Sequence, residues 1–381
     1  MKNLQDSGRP IFSCVIPTNG RVNLLLKLLK SLTEANKING VALEIIIIDD
    51  STPPSDKEIL EACKQYNAIY LKGSSSVREK RNLGITNAIG EYVFFIDSDC
   101  EASIDLFEQH YKILTQSDIS ACIGVTKFVG KNSLVWDIIS NTKFLDSFNF
   151  PNILKGCVSS APWGPTTNLS VKKTVLDKIG GFEIKLPFKL GADDADLGLR
   201  INDHGFHIGM NENAIVFHSR ETWSSFNKII RRVYRWGRMD YYLFYQRHIN
   251  KTFITLPKTI SFFYVVLIFS ILSAVFFLPI LLILIPLFWL ILFLFSLAHI
   301  KKIHWKISNS IGVLIGSEFL NFLFDLGCSF ESLKHGSLKF LYRESIDDPR
   351  NLWHKKIHEM WAALLSFFVT ILLSIIWLAY L

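Results

Sequence analysis

Two aspartates one residue apart, Asp97 and Asp99, follow the apolar run of EYVFFIDSDC, and a second run, LEIIIIDDS, ends in Asp49 and Asp50. Carboxylates spaced like the first pair can turn toward one hard cation, which takes oxygen ligands and shares them with a diphosphate. Mg2+ or Mn2+ held there neutralises charge developing on a leaving nucleoside diphosphate. Asp50 is placed to meet a nucleobase. An ionised carboxylate only accepts, so that base would present N–H, as uracil and guanine do. A third cluster, Asp193, Asp194 and Asp196 in GGFEIKLPFKLGADDADLGLR, opens a predicted helix. The helix dipole favours negative charge there, and N-terminal capping is one reading. Three acids exceed what a cap requires. Crowded carboxylates raise one another's pKa, which suits one of them to deprotonate an acceptor hydroxyl.

The elements that must position these acids alternate from the start of the chain. A strand over Phe12 to Ile16 precedes a helix with Leu24, Leu25, Leu28, Leu29 and Leu32 on one face. LEIIIIDDS is a continuous β-branched run, the mark of a parallel strand buried on both faces. A helix over Ser55 to Tyr66, a strand over Ala68 to Leu71, a helix over Val77 to Ala88 and the strand of EYVFFIDSDC follow. Alternating strands and helices imply a doubly wound α/β sheet with right-handed crossovers, whose ligands bind beyond the carboxyl ends of the strands. Two of those ends carry the acids.

The ordered stretches IPTNGR, IIIIDDST, REKRNLGITNAIGEYVFFIDSD, TTNLSV, GGFE, ADDADLGLR and VFH resemble the signatures of family 2 glycosyltransferases with the GT-A fold. The resemblance runs from about Phe12 to about Arg238. It implies a mixed, mainly parallel sheet flanked by helices. Thr18 and Asp50 would contact the nucleoside, and Arg78 and Arg81 would approach the base or diphosphate. Asp97 and Asp99 match the metal-binding DxD, with Asp99 the principal ligand and Asp97 also reaching the nucleotide-sugar. Asp194 matches the general base, with Asp193 and Asp196 beside it near acceptor or diphosphate, and His218 matches a further metal or diphosphate ligand. Two departures stand out: Pro17-Thr18-Asn19-Gly20-Arg21 lacks the aromatic usual in that loop, and Asp193-Asp194 replaces the usual Glu-Asp.

RRVYRWGRMDYY places four arginines within residues 231–238. Arg232-Val233-Tyr234-Arg235-Trp236 resembles the Q/RxxRW signature of family members acting on membrane-borne acceptors. That likeness implies that Trp236 contacts acceptor while Arg232 and Arg235 approach the diphosphate. A flat ring suits a sugar or lipid face, and guanidinium grips phosphate oxygens in a fork. A basic juxtamembrane cuff of Arg231, Arg232, Arg235 and Arg238, attracted to anionic lipid, is the alternative.

Ile260 to Ala298 is 39 residues without a charged side chain, and Ala362 to Leu381 is 20 more. As a helix the first run would reach roughly 58 Å, about two bilayer crossings. Spans are expected at about 260–278, 280–298 and 362–381, after a catalytic domain over 1–250, within a membrane region of 251–381. The stretch 308–330, apolar but carrying Glu318, Asn321 and Asp325 on one face, reads as an interfacial helix or a fourth span. Lysines and arginines flanking the runs favour a cytoplasmic catalytic domain on an integral membrane protein, at the cell membrane if the source is bacterial. MKNLQDSGRP lacks the apolar core of a secretory signal. Six scattered cysteines without a CxxC pair fit reduced thiols and not a zinc site.

The expectation is therefore an inverting, metal-dependent transferase moving a sugar from a nucleotide-sugar, with a UDP-sugar first choice, to a membrane-presented acceptor such as a polyprenyl-linked glycan or glycolipid. Membrane lipid is a partner, and nucleic acid is not: the net charge of +7 concentrates at membrane flanks. A processive polysaccharide synthase is the alternative, although few helices remain to build a channel. A nucleotidyltransferase shares the sheet and metal carboxylates but has little use for a base at Asp194. A catalytically inactive scaffold has no use for either set of acids.

Overall fold

The computed structural model of the chain describes residues 11–39, 42–156, 158–187, 191–248, 252–254, 311–341 and 343–345, with isolated positions between 260 and 271. The chain divides into two compact units, one of Met1–Asn132 with Phe144–Ser224, the other of Ser133–Lys143 with Ser225–Leu381. The first unit ends at Ser224, and α5 (Leu134–Ser140) belongs to the second.

The first unit is built on eight strands: β1 (Phe12–Thr18), β2 (Leu43–Asp49), β3 (Ile69–Lys72), β4 (Tyr92–Phe95), β5 (Cys100–Ala102), β6 (Ile119–Val129), β7 (Leu169–Lys172) and β8 (His207–Ser219). Their order is β3-β2-β1-β4-β7-β6-β8-β5. β1 to β4 pair in parallel, as the alternation predicts. β7 runs antiparallel to both β4 and β6, and β5 antiparallel to β8, so the doubly wound parallel sheet gives way to a mixed one. Ile45 to Ile48 of β2 are buried because both faces of the sheet are covered.

On one face lie Leu25, Leu28, Leu29 and Leu32 of α1 (Val22–Asn39), with α2 (Ser55–Gln65) and α4 (Leu106–Leu114). On the other lie α3 (Val77–Asn87), α6 (Phe150–Ile153), α7 (Lys173–Ile179) and α8 (Asp193–Asp203). The TTNLSV stretch proves structural. Asn168 Nδ2 donates to the Val125 and Ala214 carbonyls at 3.1 and 2.9 Å, and its Oδ1 accepts from buried His110 Nε2 at 2.8 Å. Burial lowers the His110 pKa to about 4, so the neutral ring serves as a fixed polar rivet.

In the second unit α9 (Phe226–Asp240) packs on α10 (Ile311–Lys334) through two glycines. A Cβ on Gly237 would stand 1.9 Å from the Phe324 carbonyl oxygen, and one on Gly327 2.3 Å from that of Tyr234. Glu331, fully buried on α10, accepts from Arg238 Nε and from the Tyr242 hydroxyl, each at 2.6 Å. Among the described residues no helix is long and apolar enough to cross a membrane. The buried carboxylate of α10 is matched by protein partners, not lipid. The spans expected at 260–278, 280–298 and 362–381 lie outside the described residues, apart from isolated positions. β9 (Thr252–Ile254) and β10 (Arg343–Ser345) form a small antiparallel pair.

Gly237→Ala would gain roughly 1 kcal/mol of helix propensity, yet no Cβ survives 1.9 Å from an oxygen, so the helices must separate. The expected result is a lower melting temperature by circular dichroism. A raised one would show that α9 and α10 do not meet there.

Candidate active site

Parallel pairing of β1 with β2 sets Thr18 opposite Asp49, so both strands end on one rim. Successive strand residues face opposite ways, and the two aspartates separate accordingly. Asp49 is fully buried: its Oδ1 accepts from the Ser51 amide at 3.0 Å and from the Ser51 hydroxyl, and its Oδ2 from Tyr70 Oη at 3.1 Å. Burial, then the Asp49 charge, push the Tyr70 pKa up to about 12. Asp49 is thus a turn builder. Asp50 instead offers Oδ1 to Lys80 Nζ at 2.5 Å, and the same ammonium donates to the Thr18 carbonyl at 2.7 Å. Lys80 is a residue that sequence reasoning missed, although it lies between Arg78 and Arg81 in the REKRN stretch and its helical spacing from Val77 and Gly84 places it toward the sheet.

Asp97 and Asp99 occupy the turn between β4 and β5. The β5–β8 register sets Cys100 opposite His218, which brings that histidine beside Asp99. The Ser219 amide donates to the Asp99 carbonyl at 2.9 Å. His218 Nδ1 is 2.9 Å from the Ser219 carbonyl, which can only accept, so Nδ1 carries the proton and Nε2 faces Asp99 Oδ1 at 3.6 Å. Two acceptors so close call for a proton or a cation between them. Phe128 and Trp223 rings, 5.0 and 6.2 Å from the imidazole by centroid, wall the group from solvent. Asp99 Oδ2 accepts from Arg21 Nη1 at 3.0 Å, a second residue not foreseen. Gly20 and Arg21, at φ of 65° and 59°, wind the loop that delivers it.

Asp99, Cys100 and His218 place a ligand atom each within 4.8 Å of one another. Burial, then the Asp99 charge, push the Cys100 thiol pKa well up, so the sulfur stays protonated and is a poor ligand. The remaining donors, carboxylate oxygen and imidazole nitrogen, fit Mn2+, and Mg2+ less well because of the nitrogen.

α8 begins after Ala192, at φ 57°, which has no side chain to cap it. The acids that follow are therefore not its N-cap. Asp193 accepts from the Gly191 amide at 3.1 Å and from Arg81 Nη1, while Arg81 Nη2 reaches Asp97 Oδ1 at 3.2 Å. One guanidinium thus links the two acid clusters. Asp194, half-buried beside this pair, accepts from the Ala195 amide at 2.9 Å. Desolvation, then the Asp193 charge, raise its pKa to about 7 against the pull of Arg81. A carboxylate with that pKa can hold or release a proton near neutrality.

Two expected residues turn elsewhere. Asp196 is fully buried and accepts from Arg200 Nε at 2.8 Å, while that guanidinium also donates to the Ile179 and Gly181 carbonyls. Through Arg200 it ties α8 to the preceding turn. Arg78, 2% exposed, donates to the Leu186 carbonyl at 2.8 Å, bracing the segment ahead of α8. Arg232, Arg235 and Trp236 lie half-buried on α9 in the second unit, and Arg238 Nε pairs with Glu331 at 2.6 Å.

Residues 13–184 match the family model described as Glycosyl transferase family 2. An uncharacterized glycosyltransferase of Rickettsia felis is 29% identical over 153 residues, 39% of this chain and 25% of its own length. The glycosyltransferase AglE of Haloferax volcanii is 20% identical over 240 residues, 60% of this chain and 72% of its own. The alignment thus spans about a quarter of the Rickettsia relative. Among solved structures, the mannosyltransferase PcManGT from Pyrobaculum calidifontis, in complex with GDP-Man and Mn2+, aligns at 14% identity and a TM-score of 0.48, covering 94% of this chain and 87% of that one. The family 2 match holds Thr18, Asp50, Lys80, Arg81, Asp97 and Asp99, whereas Asp194 and His218 lie beyond it and rest on the geometry above.

Proposed function

We propose that the chain is an inverting glycosyltransferase using a nucleotide-sugar, and that Asp194 is its general base. The observation that carries this reading is the Arg81 bridge, which sets a carboxylate of pKa about 7 beside a hard-ligand cluster on the same sheet rim. A divalent cation held by Asp99, His218 and Asp97 would neutralise charge on the departing diphosphate. The acceptor oxygen bonds to the anomeric carbon from the face opposite the diphosphate. The carbon–oxygen bond to the diphosphate breaks, its electron pair leaves with that group, and Asp194 receives the hydroxyl proton. One displacement inverts the centre. A membrane-presented acceptor, with the catalytic unit on the cytoplasmic face, is supported by the uncharged runs and their basic flanks.

The test is product analysis with nucleotide-sugars, Mn2+ and membrane-extracted acceptors. Acceptor-dependent release of nucleoside diphosphate is expected; release of pyrophosphate would replace this reading with nucleotidyl transfer.

A further inference from the structure

Of the two aspartates that end β2, Asp49 has both oxygens engaged within the protein. Asp50 has one oxygen engaged, by Lys80 at 2.5 Å, and its Oδ2 meets no other partner among the described residues. The Asp50 side chain is 13% exposed, which leaves part of it open at this point of the rim. Lys80 is held in place. Its side chain is 4% exposed, its ammonium also donates to the Thr18 carbonyl, and its stem passes Gly73, where a Cβ would stand 2.7 Å from Lys80 Cγ and 2.6 Å from Ile48 Cγ2. Asp50 is therefore presented as an uneven pair, one oxygen bound to an ammonium and the other without a protein partner among the described residues.

Resting on the nucleotide-sugar reading, we infer that Lys80 is a positioning residue that makes the base site select an imide edge, uracil or thymine, over guanine. Guanine offers N1–H and N2–H side by side and pairs best with both oxygens of one carboxylate, and at Asp50 one of these already accepts from an ammonium that weakens it as an acceptor. An imide offers one N–H between two carbonyls and needs one oxygen. Its flanking carbonyl would be repelled by an unneutralised second carboxylate oxygen, and the ammonium removes that repulsion. Lys80 thus favours one edge and disfavours the other with the same charge.

The experiment titrates the full chain with UDP, TDP and GDP in the presence of Mn2+ by calorimetry. UDP or TDP should bind at least roughly tenfold tighter than GDP. Lys80→Met should weaken the preferred pyrimidine diphosphate by roughly tenfold and GDP by less, narrowing the ratio. Equal loss for both nucleotides would mean a merely structural lysine and would overturn the inference. GDP binding as tightly as the pyrimidines in the unsubstituted protein would overturn it even if the variant fails to fold. Absence of binding by all three would overturn the nucleotide reading itself, and the inference with it.

Discussion

Asp194→Asn is expected to lower sugar transfer by roughly 10²–10⁴-fold while nucleoside diphosphate binding holds, because the amide cannot take the acceptor proton. The pH profile should identify the group. Only ionised Asp194 acts as a base, so the rate should rise with pH through about 7 and level off above it. Stability should run the other way. Unfolded, the carboxyl titrates near 3.9; folded, at about 7. Between those values the folded chain holds the extra proton, so this group's contribution is most favourable below the unfolded pKa and is lost as pH rises through the folded one. The asparagine variant should therefore melt above the parent at pH 8 and match it near pH 4. A variant less stable at pH 8, or one that retains turnover, would remove Asp194 from the base role.

What the residues announced and what they concealed differ in range. Continuous apolar runs are local signals, and β1 appears where the pattern puts it, as do β2 and β4 with the aspartates that end or follow them. Asp99 meets His218 only through the β5–β8 register, a pairing of segments more than a hundred residues apart that no local period encodes. The insertion of antiparallel β7 between β4 and β6 is hidden for the same reason. Within α3, three neighbouring basic residues look interchangeable, yet Arg78 turns to the Leu186 carbonyl, Lys80 to Asp50 and Arg81 to Asp97 and Asp193. Helical rotation and long stems send each charge to a different place, and the acids they meet come from other elements. The acids at 193–196 show this in reverse: Asp193 bridges, Asp194 keeps a raised pKa, and Asp196 is consumed by Arg200.

Arg81→Ala should cost about 3–5 kcal/mol in urea unfolding and abolish transfer, the larger stability loss of the substitutions considered. The guanidinium is 6% exposed, lies over the Phe182 ring at 5.4 Å and is shared by Asp97 and Asp193, whose own side chains are 31% and 10% exposed. Without it Asp97 and Asp193 lose the guanidinium that they share. Arg81→Lys keeps the charge but not the fork, so it can serve one acid and should recover only part of the loss. Arg81→Met combined with Asp193→Asn removes both ends of the inner pair and should be clearly more stable than the sum of the single losses predicts. Strict additivity would mean that the bridge carries no coupling energy. The catalytic outcome separates two roles for the arginine. If it only neutralises Asp193, the double variant regains activity along with stability; if it also holds Asp97 for the diphosphate cluster, stability returns and transfer does not. The contact at Asp97 Oδ1 favours the second result.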